Sequence, residues 1–437
     1  GLLTFACVLG ISERHLLHRG STVQFVGQPY LTRFGSLFQS FLNAMQKPDL
    51  PGALLFQPAG LLYLPNSVEV SDALSVNGSG VGGGARSIKT ALGEYFERRH
   101  FYREVLSIKR GFLSDSLTRA EVDSFASALT QTASRLISIE EVIKHHFSLT
   151  QVMRASDFSE CLIPTICISL SAHGLEKDNF LYPLRDTCGC SFYWNVDIAF
   201  LGAVKEYLER QFLLRFWLTK QCQALFSLGK VECLLRGRNV KYLYDALIFS
   251  GEVSIFDISD KRFPGVCLLA VYGQNDGDRH VKYCAGMSYS GDVGEALEKA
   301  LLELWQTYRF MDLFKSIGSD ERKVEDDYLR YFMTCNEYGT YREITDYLVA
   351  DGDDRETSLE FSLEVFLSVL NGLGVSGYFY SRRARINGVN CVFAKYVSPD
   401  LFLHMNNSKN INLRNSYSKS FESLIFSSRL NKMVPFP

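Results

Sequence analysis

Apolar residues recur at helical spacing in three stretches and at strand-like density in several shorter ones. In residues 85–98, Ile88, Ala91, Leu92, Tyr95 and Phe96 fall on one face, which predicts an amphipathic helix. The same periodicity predicts a second helix over residues 197–220 and a third over 293–313. Residues 163–170, 253–258, 266–272, 283–289, 375–380 and 389–397 read as strands. The run Val266-Cys267-Leu268-Leu269-Ala270-Val271 is apolar throughout, as in a strand covered on both faces. Asn77-Gly78-Ser79-Gly80-Val81-Gly82-Gly83-Gly84 reads as a glycine-rich loop opening into the first helix. The residues before it read as strands and turns punctuated by Pro48, Pro51 and Pro58, an extension (1–65) ahead of a main unit (66–437).

Composition narrows the function classes. The 437 residues include 46 Lys+Arg against 48 Asp+Glu, for a net charge of −2. Hydrophobic residues make up 46% and charged residues 22%, which excludes a disordered, collagen-like or coiled-coil chain. The missing basic excess argues against a general nucleic-acid binder. Eleven cysteines, odd in number and scattered, read as reduced thiols in a cytoplasmic protein. Cys188-Gly189-Cys190 is the one close pair; with no second pair at ligand spacing, it reads as buried thiols rather than a zinc site. His145-His146 are adjacent, so a helix would turn the two rings apart. The apolar run over 2–11 is too short to span a bilayer and lacks a basic flank, so no membrane association is expected. Residues 351–354 are acidic but lack the ligand ladder of an EF-hand and read as a solvated loop.

The strongest chemical signal is a recurring motif. Ala91-Leu92-Gly93-Glu94-Tyr95-Phe96-Glu97-Arg98 aligns without gaps on Ala203-Val204-Lys205-Glu206-Tyr207-Leu208-Glu209-Arg210. Ala300-Leu301-Leu302-Glu303-Leu304-Trp305-Gln306 is a weaker third copy. Residues i and i+3 share a helix face, so Glu94 projects with Glu97 and Glu206 with Glu209. Two such helices facing each other would gather four carboxylates, which repel unless protonated or neutralised by a cation. Oxygen-only ligands suit Mg²⁺ in company with phosphates, so the pattern points to a magnesium–nucleotide site. The intervening Tyr, Phe and Leu imply burial, and a buried glutamate needs a partner. The i,i+4 pairs Glu94–Arg98 and Glu206–Arg210 alone would be ordinary helix support. The glycine stretch is not a P-loop, since no Gly-Lys-Ser/Thr follows it.

These motifs resemble the YcaO family. Within it, four blocks look like the cyclodehydratase subunits of microcin B-type azole synthetases. They are Gly93-Glu94-Tyr95-Phe96-Glu97-Arg98-Arg99-His100-Phe101, Arg185-Asp186-Thr187-Cys188-Gly189-Cys190-Ser191-Phe192, Ser398-Pro399-Asp400-Leu401-Phe402-Leu403-His404-Met405-Asn406-Asn407-Ser408 and Lys432-Met433-Val434-Pro435-Phe436-Pro437. The resemblance implies an α/β (α+β) fold of the YcaO ATP-binding type, with mixed sheets and carboxylate-bearing helices. It implies an enzyme that converts Ser and Cys of a ribosomal precursor peptide into oxazoline and thiazoline rings, phosphorylating the backbone amide oxygen with ATP. The implied cofactors are ATP and Mg²⁺. The implied partners are the precursor peptide, a leader-binding subunit related to ubiquitin-activating enzymes and an FMN-dependent dehydrogenase, with a homodimer inside the hetero-oligomer.

Carried over residue by residue, the resemblance assigns the metal to Glu94, Glu97, Glu206 and Glu209. It places Ser87, Arg98, Ser191, Arg210, Glu303, Gln306 and Arg309 near the nucleotide. It gives Pro435 and Pro437 a catalytic role at a chain end inside the active site, where proline favours an extended, preorganised segment. Three positions depart from the family pattern: Gln306 stands where a Glu would complete the third copy, Ala91 replaces Ser, and Ile198 replaces an acid. Two other functions stay open: thioamide or amidine formation, and a non-catalytic scaffold subunit.

Overall fold

The computed structural model describes residues 22–25, 53–57, 64–72, 76–83, 85–316, 318, 320–324, 327–349, 359–386, 388–406 and 409–436. The predicted segment 351–354, the run 2–11 and the terminal Pro437 lie outside the described residues. The three periodic stretches fold as helices α1 (Ala85–Arg103), α2 (Val196–Thr219) and α3 (Val293–Ser316). At the start of α2, the Asn195 side chain accepts from the N–H groups of Asp197 and Ile198, satisfying two of the helix's orphan donors. The helix stops at Lys220, whose φ of 57° turns the chain out of helical register.

Three sheets carry these helices. The first has the order β1 (Thr22–Phe25), β2 (Ala53–Gln57), β3 (Asn66–Ser71), β4 (Asn77–Gly82); β1 and β2 run parallel and the rest antiparallel. Position 65 therefore falls inside a hydrogen-bonded unit, since β2 pairs with β3. The second runs β5 (Lys109–Gly111), β6 (Phe147–Arg154), β15 (Tyr378–Ile386), β16 (Val389–Val397), β8 (Cys190–Tyr193), with β7 (Glu160–Pro164) also on β6. The third is an antiparallel sheet of β10 (Ala224–Leu225), β11 (Glu252–Asp257), β12 (Val266–Gly273) and β13 (Tyr283–Ser290). A short parallel pair joins β9 (Gln221–Cys222) to β14 (Leu348–Val349). The predicted strand over 163–170 instead ends at Pro164 and tightens into a 3₁₀ turn, Thr165–Cys167.

Each carboxylate helix directly follows a strand and packs back on it: α1 on β4, α2 on β8 and β16, α3 on β13 and β12. The glycine-rich stretch is not the expected loop; residues 77–82 are strand β4. Gly78 and Gly80 lie on the strand face turned to α1. A Cβ on Gly78 would come within 2.2 Å of the Ala91 carbonyl oxygen, and one on Gly80 within 2.0 Å of the Ser87 carbonyl oxygen. The glycines serve backbone-to-backbone approach of helix and strand. Gly286 of β13 does the same for α3, where a Cβ would meet Leu304 N at 2.0 Å and Ala300 O at 2.3 Å.

Ten described cysteines are free, and all but Cys233 are buried. Burial pushes the Cys188 and Cys190 thiols well above their usual range, so they behave as neutral core groups, as their isolation in sequence implied. His145 turns to Asp178 at 2.8 Å, and no group of three or more His, Cys, Asp or Glu able to hold a metal is found among the described residues. No helix among the described residues is long and apolar enough to cross a membrane.

Candidate functional site

The helix faces predicted from i,i+3 spacing converge on one carboxylate cluster. Glu94 and Glu97 come from α1, Glu206 and Glu209 from α2, and Glu303 from α3. Their electrostatic interactions form an unbroken series: Glu94 acts on Glu97, Glu97 and Glu209 on Glu206, and Glu209 on Glu303. A sixth member, Glu69 on β3, precedes the series and feels Glu94.

Backbone and hydroxyl donors hold the individual carboxylates. Ser79 N–H donates to Glu94 Oε2 at 2.5 Å, and Ser79 Oγ to Glu69 Oε2 at 2.7 Å. Tyr289 N–H donates to Glu209 Oε2 at 2.8 Å, and Met287 N–H to Glu303 Oε2 at 3.2 Å. Both donors are on β13, so the third sheet presents main-chain dipoles to two of the six acids. Glu209 is 7% exposed, whereas Glu303 is the most open of the six and marks the solvent side of the cluster.

Burial is the main reason Glu69, Glu97, Glu206 and Glu209 resist ionisation. It pushes Glu69 and Glu97 up to about 8, with the neighbouring Glu94 carboxylate adding to the effect. Glu206 rises well above its ordinary value through burial, opposed by Arg210 and reinforced by Glu97, Glu209 and Asp186. Glu209 is also raised by burial, against Lys205, Arg210 and the Tyr289 N–H.

Four basic side chains interleave with the six acids. Arg98 pairs with Glu94 and donates to Asn77 Oδ1 at 3.2 Å. Arg210 lies 3.7 Å from Glu206 and over the Phe436 ring at 5.7 Å. Lys205 acts on Glu209 and Glu303, and Lys395 on Glu97. Fully ionised, six carboxylates against four cations would carry an excess of two negative charges; without a metal, protons held by the raised acids remove that excess, and a divalent cation would take the protons' place. The all-oxygen donor set suits a hard ion such as Mg²⁺. The side chains of Glu94, Glu97, Glu206 and Glu209 fit that ion by chemistry; they are not already gathered into a closed ligand shell.

The remaining expected residues fall around this cluster with differing closeness. Ser87 is buried at the start of α1 with its carbonyl facing Gly80. Ser191 is buried on β8 against Gly202 of α2. Gln306 is half-buried, one turn beyond Glu303 on α3. Arg309 lies over Trp305 at 5.7 Å and feels Asp312 rather than the cluster. Ile198 is 45% exposed in the first turn of α2. Pro435 is buried and its carbonyl accepts from Tyr283 Oη at 2.5 Å; Pro437 is outside the described residues.

Motif reading missed Glu69, Lys205 and Lys395. Glu69 is a lone acid between Val68 and Val70 on a strand, and only pairing with β4 sets it opposite Ser79. Lys205 adjoins Glu206 inside the repeat and was legible there as a charge at the position Gly93 holds in the first copy. Lys395, 5% exposed, reaches the site because β16 pairs with β8, and its ammonium donates to the Asp186 carbonyl at 3.3 Å.

The family described as YcaO cyclodehydratase, ATP- and Mg²⁺-binding, matches residues 79–401. The microcin B17-processing protein McbD of Escherichia coli is 31% identical over 391 residues, spanning 89% of this chain and 97% of McbD. A chain of the E. coli microcin synthetase McbBCD complex superposes with a TM-score of 0.81 at 31% identity, covering 89% of this chain and 98% of that one. The structure of YcaO from Methanopyrus kandleri bound with AMPPCP and Mg²⁺ shares the fold at a TM-score of 0.51 and 12% identity, covering 84% and 90% of the two chains. With the family match spanning most of the chain and a close relative covered almost end to end, this chain belongs to the YcaO cyclodehydratase family, whose members bind ATP and Mg²⁺.

Proposed function

We propose that the chain is an ATP-dependent cyclodehydratase that forms oxazoline and thiazoline rings from Ser and Cys residues of a ribosomally made precursor peptide. The Ser oxygen or Cys sulfur attacks the preceding amide carbonyl. The resulting oxyanion takes the γ-phosphoryl group of ATP, and phosphate departs carrying the former amide oxygen. The observation that carries this reading is the convergence of Glu94, Glu97, Glu206, Glu209 and Glu303 from three helices, interleaved with Arg98 and Arg210.

Phosphoryl transfer depends on positioning and charge neutralisation more than on covalent chemistry. Glu94, Glu97, Glu206 and Glu209 would hold Mg²⁺, which when bound would supply charge neutralisation on the triphosphate. The chain's own residues do the rest. Glu94 and Asn77 aim the Arg98 guanidinium, and Glu206 with Phe436 aims that of Arg210. Ser87, Ser191, Glu303, Gln306 and Arg309 complete the nucleotide surroundings in this reading. The C-terminal Pro-x-Pro segment, with Pro435 and Pro437, assists proton transfer.

One relative of known structure is part of the McbBCD complex, also solved with pro-MccB17 bound, which supports a peptide substrate and partner subunits for this chain. We assign those partners as a leader-binding subunit related to ubiquitin-activating enzymes and an FMN-dependent dehydrogenase, around a homodimer of this chain. The catalytic unit is residues 66–437, preceded by an extension at 1–65 whose strand β2 pairs onto β3 of that unit. Buried, unpaired thiols favour a reducing, cytoplasmic setting.

The test combines the purified chain, its partner subunits, precursor and Mg-ATP, then weighs the peptide. Loss of one water per ring with phosphate release is expected. Glu94→Gln and Glu206→Gln should abolish peptide-dependent phosphate release while circular dichroism stays native. A mass change other than water loss would point to thioamide or amidine chemistry, and full turnover by both variants would remove the metal assignment.

A further inference from the structure

The end of the chain is held by its backbone. Trp217 Nε1 donates to the Lys432 carbonyl at 2.8 Å, Tyr331 Oη to that of Met433 at 2.6 Å, and Tyr283 Oη to that of Pro435 at 2.5 Å. Tyr328 Oη donates to the Phe436 carbonyl. The donors come from three separate elements: Trp217 from α2, Tyr283 from β13, and Tyr328 and Tyr331 from a fourth helix, α4 (Asp327–Thr334). Met433, Val434 and Phe436 are each at most 5% exposed, so residues 433–436 are packed into the fold.

The segment ends at the carboxylate cluster. The Phe436 ring lies under the Arg210 guanidinium, which pairs with Glu206, and Tyr328 is close enough to act electrostatically on the same arginine. Every bond of the set goes to a main-chain carbonyl, a group all residues carry. These four bonds are therefore indifferent to side-chain identity. Burial pushes the Tyr283 and Tyr331 phenols upward, so they remain O–H donors across the physiological range.

We infer that Tyr283, Tyr328 and Tyr331 are positioning residues: a rack of phenols that aligns the C-terminal segment beside Arg210 for ring closure and leaves nucleotide affinity to the carboxylate helices. This rests on the cyclodehydratase reading above. Small losses of alignment are costly in rate because reacting groups must sit in near-attack geometry. A structural strut would instead show itself in folding stability.

The experiment compares Tyr328→Phe, Tyr331→Phe and the double variant in the full chain and in a chain ending at Val434, each assembled with partner subunits. In the full chain the double variant should slow ring formation by roughly tenfold or more, with KM for ATP and the melting temperature nearly unchanged. In the truncated chain the same substitutions should add nothing, since the segment they align is gone. Equal slowing in both chains, or no slowing in the full chain, overturns the rack. Hydrogen exchange of the 430–437 peptide gives a readout independent of the reaction: it should rise in the double variant, and unchanged protection also overturns the inference. Failure of the wild-type assembly to form rings would instead sink the cyclodehydratase reading, leaving the exchange result to stand by itself.

Discussion

Adding one methyl group at Gly80, Gly286 or Gly93 should have opposite consequences. Alanine at Gly80 sets its Cβ 2.0 Å from the Ser87 carbonyl oxygen and 2.6 Å from Ala91 N. At Gly286 it sits 2.0 Å from Leu304 N, with Glu303 C at 2.7 Å. Ordinary contact begins near 3.4 Å, and the obstructing atoms are helix backbone, which has no rotamer to swing away. The helix must retreat by about 1 Å, or the strand must bow, at a cost of about 3 kcal/mol or more. Gly286→Ala pushes on the turn carrying Glu303, and Gly80→Ala on the turn before Glu94. A displacement near 1 Å at a reacting centre costs about 100-fold in rate.

Gly93 is the internal control. It adjoins Glu94 in the middle of α1, but an added Cβ finds only Phe192 Cδ1 at 4.0 Å. There the lower backbone entropy of alanine in a helix wins, and Gly93→Ala should stabilise by about 0.5–1 kcal/mol. Chemical denaturation of the three variants, with phosphate release measured in the assembled enzyme, checks the ordering. If Gly80→Ala and Gly286→Ala unfold at the wild-type midpoint, the close helix-on-strand packing described above is wrong.

Two further predictions concern the carboxylate cluster. Glu97, raised to about 8 from 4.5, binds more protons folded than unfolded. Its contribution is intact below pH 4.5 and is lost as pH rises through about 8, so the metal-free protein should weaken over that window. Urea midpoints measured across it should fall in the wild type and fall less in Glu97→Gln; parallel curves would refute the assignment. Glu69, also raised to about 8, is mimicked in its protonated state by Gln. Glu69→Gln should leave the urea midpoint at pH 7 within about 0.5 kcal/mol of wild type, whereas Glu69→Ala strands the Ser79 hydroxyl and should cost about 1–3 kcal/mol. Equal midpoints for the two variants would show that Ser79 gains nothing from residue 69.

Local residue order was enough to set the three carboxylate helices and the faces on which their acids stand. Helical periodicity is local, and the i,i+3 spacing of Glu94 and Glu97 holds wherever the helix is placed. It also determined the family, through motifs that depend on residue identity and order alone. Tertiary structure decided what no single stretch contains. The glycine run read as a loop because glycine is a turn signal in isolation; its place as strand β4 depends on pairing with β3 and on α1 pressing against its bare backbone. Glu69 and Lys395 entered the site from strands whose neighbours are distant in sequence. The terminal segment gained its address from Trp217, Tyr283, Tyr328 and Tyr331, which bind carbonyls that carry no sequence signature. Burial, which raises Glu69, Glu97, Glu206 and Glu209, belongs to the assembled fold: desolvation is a property of everything packed around a side chain, and local periodicity reports only one of its walls.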